Sequence, residues 1–142
     1  MNKTGLTFTI DSFQIEPGKI KEFAMAIGDN NPIYYDKYTA INEGYEGIPI
    51  PPTFPTVIEM WGGLDFETLI NKLDLNPLMV LHGEQEYEYY SDILAGDIIS
   101  CSAEVISHIE KRRMDFITIE VVYKRDGQVV LISKSNIIER KG

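Results

Sequence analysis

Between Pro51 and Gly63 the chain reads Pro-Pro-Thr-Phe-Pro-Thr-Val-Ile-Glu-Met-Trp-Gly-Gly, a stretch that leaves little conformational freedom. Two prolines stop whatever precedes them, Thr53 is placed to cap a helix, Pro55 is tolerated in a first turn, and the paired glycines end it. The resulting short helix carries Phe54, Val57, Ile58, Met60 and Trp61, with only Thr56 and Glu59 to turn toward water. A helix apolar on nearly every side must be enclosed. At about 1.5 Å per residue it is far too short to cross a bilayer, so the expected enclosure is protein: a buried central helix gripped by a sheet. The backbone N–H groups at its start form a natural seat for a developing oxyanion, although a plain core helix accounts for the same residues.

At 142 residues the chain has the size of one domain, expected to span 1–142, with enough apolar surface for a real core. A lone cysteine, Cys101, with no signal peptide and no long apolar run, points to a reducing compartment, the cytoplasm by default. Asp and Glu outnumber Lys and Arg by 22 to 13, and a net charge of −9 repels nucleic acid and anionic membranes alike. Lys111-Arg112-Arg113 is the one basic run. It is either a solvated turn or a contact for the phosphates of a ligand or an acidic carrier. No P-loop, dinucleotide fingerprint, Cys-x-x-Cys or nucleophile elbow is present, so no cofactor is expected.

Thr7 to Ile15 is β-prone. The period then changes: Ile20, Phe23, Ala24 and Ile27 fall on one helical face, and Gly28 stands where that helix should stop. Asp29 to Asp36 follows as a dense cluster of turn formers, stiffened by Pro32 and by Asn and Asp side chains that bond their own backbone. Asp36 is placed to cap a short helix ended by Gly44, and Asp65 a further one through Phe66, Leu69, Ile70 and Leu73. The second half reads as four strands: Leu78 to Tyr90, Asp97 to Ile109, Met114 to Lys124 and Gln128 to Glu139, the last two joined by Asp126-Gly127. Helices followed by antiparallel strands predict an α+β domain whose sheet curls over one buried helix. Glu84, Glu86 and Glu88 share one strand face without His or Cys at ligand spacing, so a solvated face is expected there and not a metal site.

Three motifs in order then carry a resemblance: Phe23 to Asp36, Gly44 to Phe54, and Leu81 to Tyr89 continuing to Leu94-Ala95-Gly96-Asp97. Together they resemble the hot-dog fold of MaoC-like hydratases and dehydratases, in the branch called FAS1-like or N-terminal MaoC-like dehydratase domains, over nearly the whole chain. The resemblance implies a curled antiparallel sheet around a central helix. It also implies addition or removal of water across C2–C3 of an acyl thioester, on coenzyme A or a carrier protein, to give the (3R) alcohol. The family's catalytic loop reads Asp-x-Asn-Pro-x-His. Here its Asp falls on Asp29, its Asn on Asn31 and its Pro on Pro32, while the histidine position holds Tyr34. The family's oxyanion donor corresponds to the backbone N–H of Thr53, and the Asp29 carboxyl is expected to face that helix start across an acyl slot.

The substitution has a chemical consequence, because a general base works best with a pKa near the operating pH. Phenols begin near 10, so a base at pH 7 requires about 4 kcal/mol of added phenolate stabilisation, which an acidic chain opposes. Tyr34 is left to orient water or bond a thioester. His82 and His108 are the other imidazoles; His82, in the third motif, is the better substitute, and neither has the family spacing from Asp29. Tyr35 and Tyr45, with Pro52, Phe54 and the Lys111–Arg113 run, are candidate substrate contacts. In this branch, chains lacking the histidine pair with a sister hot-dog subunit that retains it, and hot-dog domains pair sheet edge to sheet edge. A homodimer or heterodimer is therefore expected, with a supporting subunit as the leading role. Two other readings remain open: a self-sufficient homodimeric hydratase using Asp29 with His82 or Tyr34, and a non-catalytic acyl-thioester-binding or structural module.

Overall fold

The computed structural model describes residues 2–142. Strand β1 (Thr7–Gln14) leads into helix α1 (Pro17–Ala26), where Pro17 occupies the first turn, a place that needs no N–H donor. Ile20 and Ala24 turn inward from α1 and Phe23 is half-buried, as the spacing predicts, but Ile27 is exposed because the helix has already ended there. Helix α2 (Lys37–Asn42) is capped by Asp36, whose carboxylate accepts from the Thr39 N–H and, at 2.6 Å, from its hydroxyl. Helix α3 (Pro55–Trp61) is the central one, and α4 (Phe66–Leu73) is capped by Asp65 at 2.8 Å from the Thr68 N–H.

Four long strands follow: β2 (Val80–Tyr89), β3 (Ile98–Lys111), β4 (Met114–Arg125) and β5 (Gln128–Arg140). All neighbours are antiparallel in the order β1-β3-β4-β5-β2, which leaves β1 and β2 as edges. Alternation along β4 sets Asp115, Ile117, Ile119, Val121 and Tyr123 on one buried face. Helix α3 lies against that face: the Tyr123 hydroxyl reaches Pro55 and Glu59, Ser133 on β5 bonds Glu59, and the Thr56 and Tyr87 hydroxyls meet at 2.6 Å. This is the hot-dog arrangement, a curled antiparallel sheet around a central helix.

Three expectations for the central helix are corrected. Thr53 is no cap: it sits in a turn closed by the Phe54 N–H on the Pro51 C=O, Phe54 takes the cap position in a helical conformation, and no side chain caps the helix. Enclosure within one chain is incomplete, since Met60 is 55% and Trp61 78% exposed. Conversely Glu59, one of the two residues expected to face water, is buried. The sheet covers one side of so short a helix, and that side happens to include Glu59.

Candidate functional site

The loop after α1 is built by its helix end. The Gly28 N–H bonds the Met25 C=O and the Asp29 N–H the Ala24 C=O, a Schellman ending that needs a left-handed residue, and Gly28 supplies it with φ 73°. Asp29 is thereby delivered in a fixed direction. Its Oδ1 accepts from the Asn31 N–H at 3.0 Å, Asn31 Oδ1 accepts from the Ile33 N–H at 3.2 Å, and the Tyr35 hydroxyl donates to the Asp29 C=O at 2.7 Å. A 3-10 turn, Pro32–Tyr34, then drives Ile33 and Tyr34 inward.

Tyr34 enters a pocket of about 190 Å³ lined also by Tyr45, Pro49, Ile50, Pro52, Tyr89, Asp92 and Ile93. The opposite wall is pinned by backbone pairing, Ile50 N–H to Ile93 C=O at 3.0 Å and Ala95 N–H to Ile48 C=O at 2.8 Å, and by the Tyr89 hydroxyl on the Pro52 C=O at 2.8 Å. Arg125 steadies the loop beneath, donating to Asp97 and to the Asp92 C=O at 2.7 Å and to Ser91 at 3.0 Å. Burial, the Asp29 charge and Tyr45, in that order, push the Tyr34 phenol above its ordinary value, and burial raises Tyr89 further. At Tyr34 and Tyr89 the pocket therefore offers neutral hydroxyls and no phenolate base.

Of the residues singled out from sequence, Tyr34, Tyr45 and Pro52 converge on this pocket. Asp29 is half-buried and close enough to raise the Tyr34 pKa, yet its carboxyl is not part of the wall, and one of its oxygens is held by Asn31. Tyr35 turns its hydroxyl back onto the loop, and Phe54 faces the core, edge-on to Phe23 at 5.5 Å between ring centres. Neither lines the pocket. Thr53 is exposed one residue beyond Pro52, and among the described residues no backbone acceptor takes its N–H.

The remaining candidates lie elsewhere. His82, near the other end of β2, borders an apolar cavity of about 110 Å³ with Phe66, Leu69, Ile70, Leu75, Val80, Leu81 and Ile137. Lys111, Arg112 and Arg113 form the exposed β3–β4 turn, separated from the Asp92–Ile93 wall by the fourteen residues of β3, about 45 Å along the strand. His108 is committed on both nitrogens, to Asp115 at 3.2 Å and to the Lys3 N–H at 3.0 Å. Among the described residues no three His, Cys, Asp or Glu side chains are grouped to hold a metal, and no helix is long and apolar enough to cross a membrane. Tyr89, Pro49 and Ile50 were visible inside the quoted motifs but stood at no position of the catalytic loop to mark them; Asp92 and Ile93 join only through the pairing of their loop with residues 48–50.

Residues 2–133 match the family described as FAS1-like, dehydratase domain region. A UPF0336 protein from Thermobifida fusca is 30% identical over 132 residues, covering 92% of this chain and 86% of its own. Among solved structures, the C-terminally truncated HadBC (3R-hydroxyacyl-ACP dehydratase) complex from Mycobacterium tuberculosis superposes with a TM-score of 0.84 at 21% identity, over 97% of this chain and 98% of the other. The ChsH1–ChsH2 complex from the same organism gives 0.78 at 24%, over 96% and 83%. The structural likenesses carry the hot-dog fold and the sequence match carries descent; on that footing the chain belongs to the FAS1-like dehydratase domain family.

Proposed function

We propose that this chain is a subunit of a (3R)-hydroxyacyl-thioester dehydratase or enoyl-thioester hydratase that a histidine-bearing hot-dog partner completes. The observation that carries this role is Tyr34: it occupies the histidine position of an otherwise matching Asp29–Asn31–Pro32 loop, points into the pocket, and has its pKa moved away from that of a base. A water-activating imidazole must then come from outside the chain, because His82 borders a different cavity and His108 has no free nitrogen. Tyr34, Tyr45, Tyr89 and Pro52 form one wall of an acyl-thioester groove, with the Thr53 N–H as oxyanion donor and Asp29 setting the field at Tyr34.

The edge strand β2 supports a paired state. It has one hydrogen-bonded neighbour, β5, and its own Leu81 borders an open apolar cavity together with Phe66 of α4. An unpaired edge flanked by apolar side chains is a surface for another sheet. Native purification from the source cell tests the role. It should bring down a second small hot-dog chain carrying Asp-x-Asn-Pro-x-His; isolation of this chain alone, fully active, would overturn it. A non-catalytic acyl-thioester-binding module is the second reading, favoured by the missing base. Calorimetry separates the two, since a sensor binds acyl-CoA without converting it whatever chain is added.

A further inference from the structure

The buried carboxyl of Glu59 has no part in the chemistry above, and its surroundings assign it a state. It projects from α3 into the sheet face, where its Oε2 meets the hydroxyl oxygens of Tyr123 of β4 and Ser133 of β5, the latter at 2.9 Å. The titratable groups facing it are Tyr87 from β2, Cys101 from β3 and Tyr123 from β4; from β5 only the Ser133 hydroxyl approaches. Every one of them is neutral when protonated and negative otherwise. Among the described residues no Lys, Arg or His forms an ion pair with it. An unpaired buried carboxylate is costly, and such a group takes up a proton instead.

Hydrogen counting agrees with a neutral acid without requiring it, since the Pro55 C=O also belongs to the helix's own ladder. The Tyr123 hydroxyl has two acceptors in reach, Glu59 Oε2 and the Pro55 C=O at 3.3 Å, but only one hydrogen. An ionised Glu59 claims that hydrogen and leaves the carbonyl of the first α3 residue without it. A protonated Glu59 donates to the Tyr123 oxygen and frees the phenol to donate to Pro55, while Ser133 still donates to the carboxyl. We propose that Glu59 is held as a neutral carboxylic acid in the folded protein and is a positioning residue, its proton completing a Glu59-to-Tyr123-to-Pro55 relay that fixes the first turn of the central helix to the sheet. That turn is continuous with Thr53, so the consequence for activity rests on the proposed hydratase role. The protonation state itself does not.

Burial raises the Glu59 pKa, outweighing the opposing hydroxyl bonds. With the folded value above the unfolded one, the folded chain binds the extra proton between the two. Stability is therefore greatest at or below the unfolded value, near 4.3, and declines as pH rises until the folded value is passed. Thermal and urea unfolding of the full chain from pH 5 to 8.5, wild type beside Glu59→Gln, tests this directly. The amide can donate to Tyr123 as the acid does and cannot ionise. The folding constant of E59Q relative to wild type should climb with pH, approaching tenfold per unit between the unfolded and folded values of Glu59 and levelling off above the latter. Parallel curves would overturn the proposal. Difference infrared spectroscopy on wild type gives an answer independent of any variant's folding: the C=O band of a protonated, slowly exchanging carboxylic acid should be present at pH 6. An ionised band alone would contradict the proposal. If Glu59 passes both tests and Thr53→Pro, which removes the proposed oxyanion N–H, leaves partner-completed acyl-thioester turnover untouched, the hydratase role fails while the relay stands.

Discussion

Tyr34 keeps its proton at neutral pH, because burial first and the Asp29 charge second both oppose the phenolate. It lines the pocket as a neutral phenol, and on the proposed role its hydroxyl donates to the bound thioester. Tyr34→Phe should accordingly reduce turnover of the partner-completed enzyme only by the loss of one hydrogen bond, up to about tenfold, without moving the pH profile. Tyr34→His should raise hydration of a short enoyl-CoA by the isolated chain by about a hundredfold, the low end of what a positioned base supplies; stopped assays with each variant read both effects. Cys101 offers a second check on the interior: burial and then Glu59 push its thiol up to about 12. At pH 8 it should react with a thiol reagent on the order of a thousandfold more slowly in the folded chain than in urea, since only the thiolate attacks. A fast native reaction would mean that the face beneath the central helix is open.

The strands and capped helices were legible because each rests on a local rule: period-2 runs, Asp36 and Asp65 as caps, and Asp126-Gly127 as a hairpin whose two residues have φ 52° and 78°. The β3–β4 turn obeys the same backbone rule with the wrong residues, Arg112 at φ 54° and Arg113 at φ 61°, which is why sequence suggested only a basic connection. A left-handed non-glycine residue costs about 1 kcal/mol. Arg113→Gly should therefore stabilise the chain by about that amount in urea unfolding, with no change in acyl-thioester turnover if the run is only a turn. Gly62 behaves in the opposite way. A Cβ there would meet Ile10 Cγ2 at 2.5 Å and the Ile58 C=O at 2.8 Å, so Gly62→Ala should destabilise by about 1–3 kcal/mol by prying the end of α3 from β1. What no local rule reveals is which side of a helix apolar all round meets the sheet. Phe54 and Glu59 turned inward and Met60 and Trp61 outward for reasons that lie in β4 and β5, not in residues 51–63. The pocket was half legible in the same way, since Tyr34, Tyr45 and Pro52 lie in recognisable motifs and the Asp92–Ile93 wall arrives from a distant loop.

Taken as a whole, the molecule sets the Asp29–Asp36 loop beside a pocket of about 190 Å³ lined by Tyr34, Tyr45 and Tyr89 and leaves β2 as a sheet edge; on the proposed role these are the parts that a histidine-bearing partner completes. A second sheet on that edge would cover Leu81, which is 63% exposed in the single chain. Leu81→Lys should leave the isolated chain's stability within about 0.5 kcal/mol, as surface changes do. It should nevertheless weaken association at least tenfold in sedimentation velocity; unchanged association would move the interface elsewhere. The most direct test is hydration of a short trans-2-enoyl-CoA by the purified chain, alone and after titration with the histidine-bearing partner obtained from native purification. Background turnover alone, rising to a plateau at one partner per chain and falling again with the partner's loop histidine replaced, is the predicted result. Robust turnover by the lone chain, lost on Asp29→Ala, would contradict it.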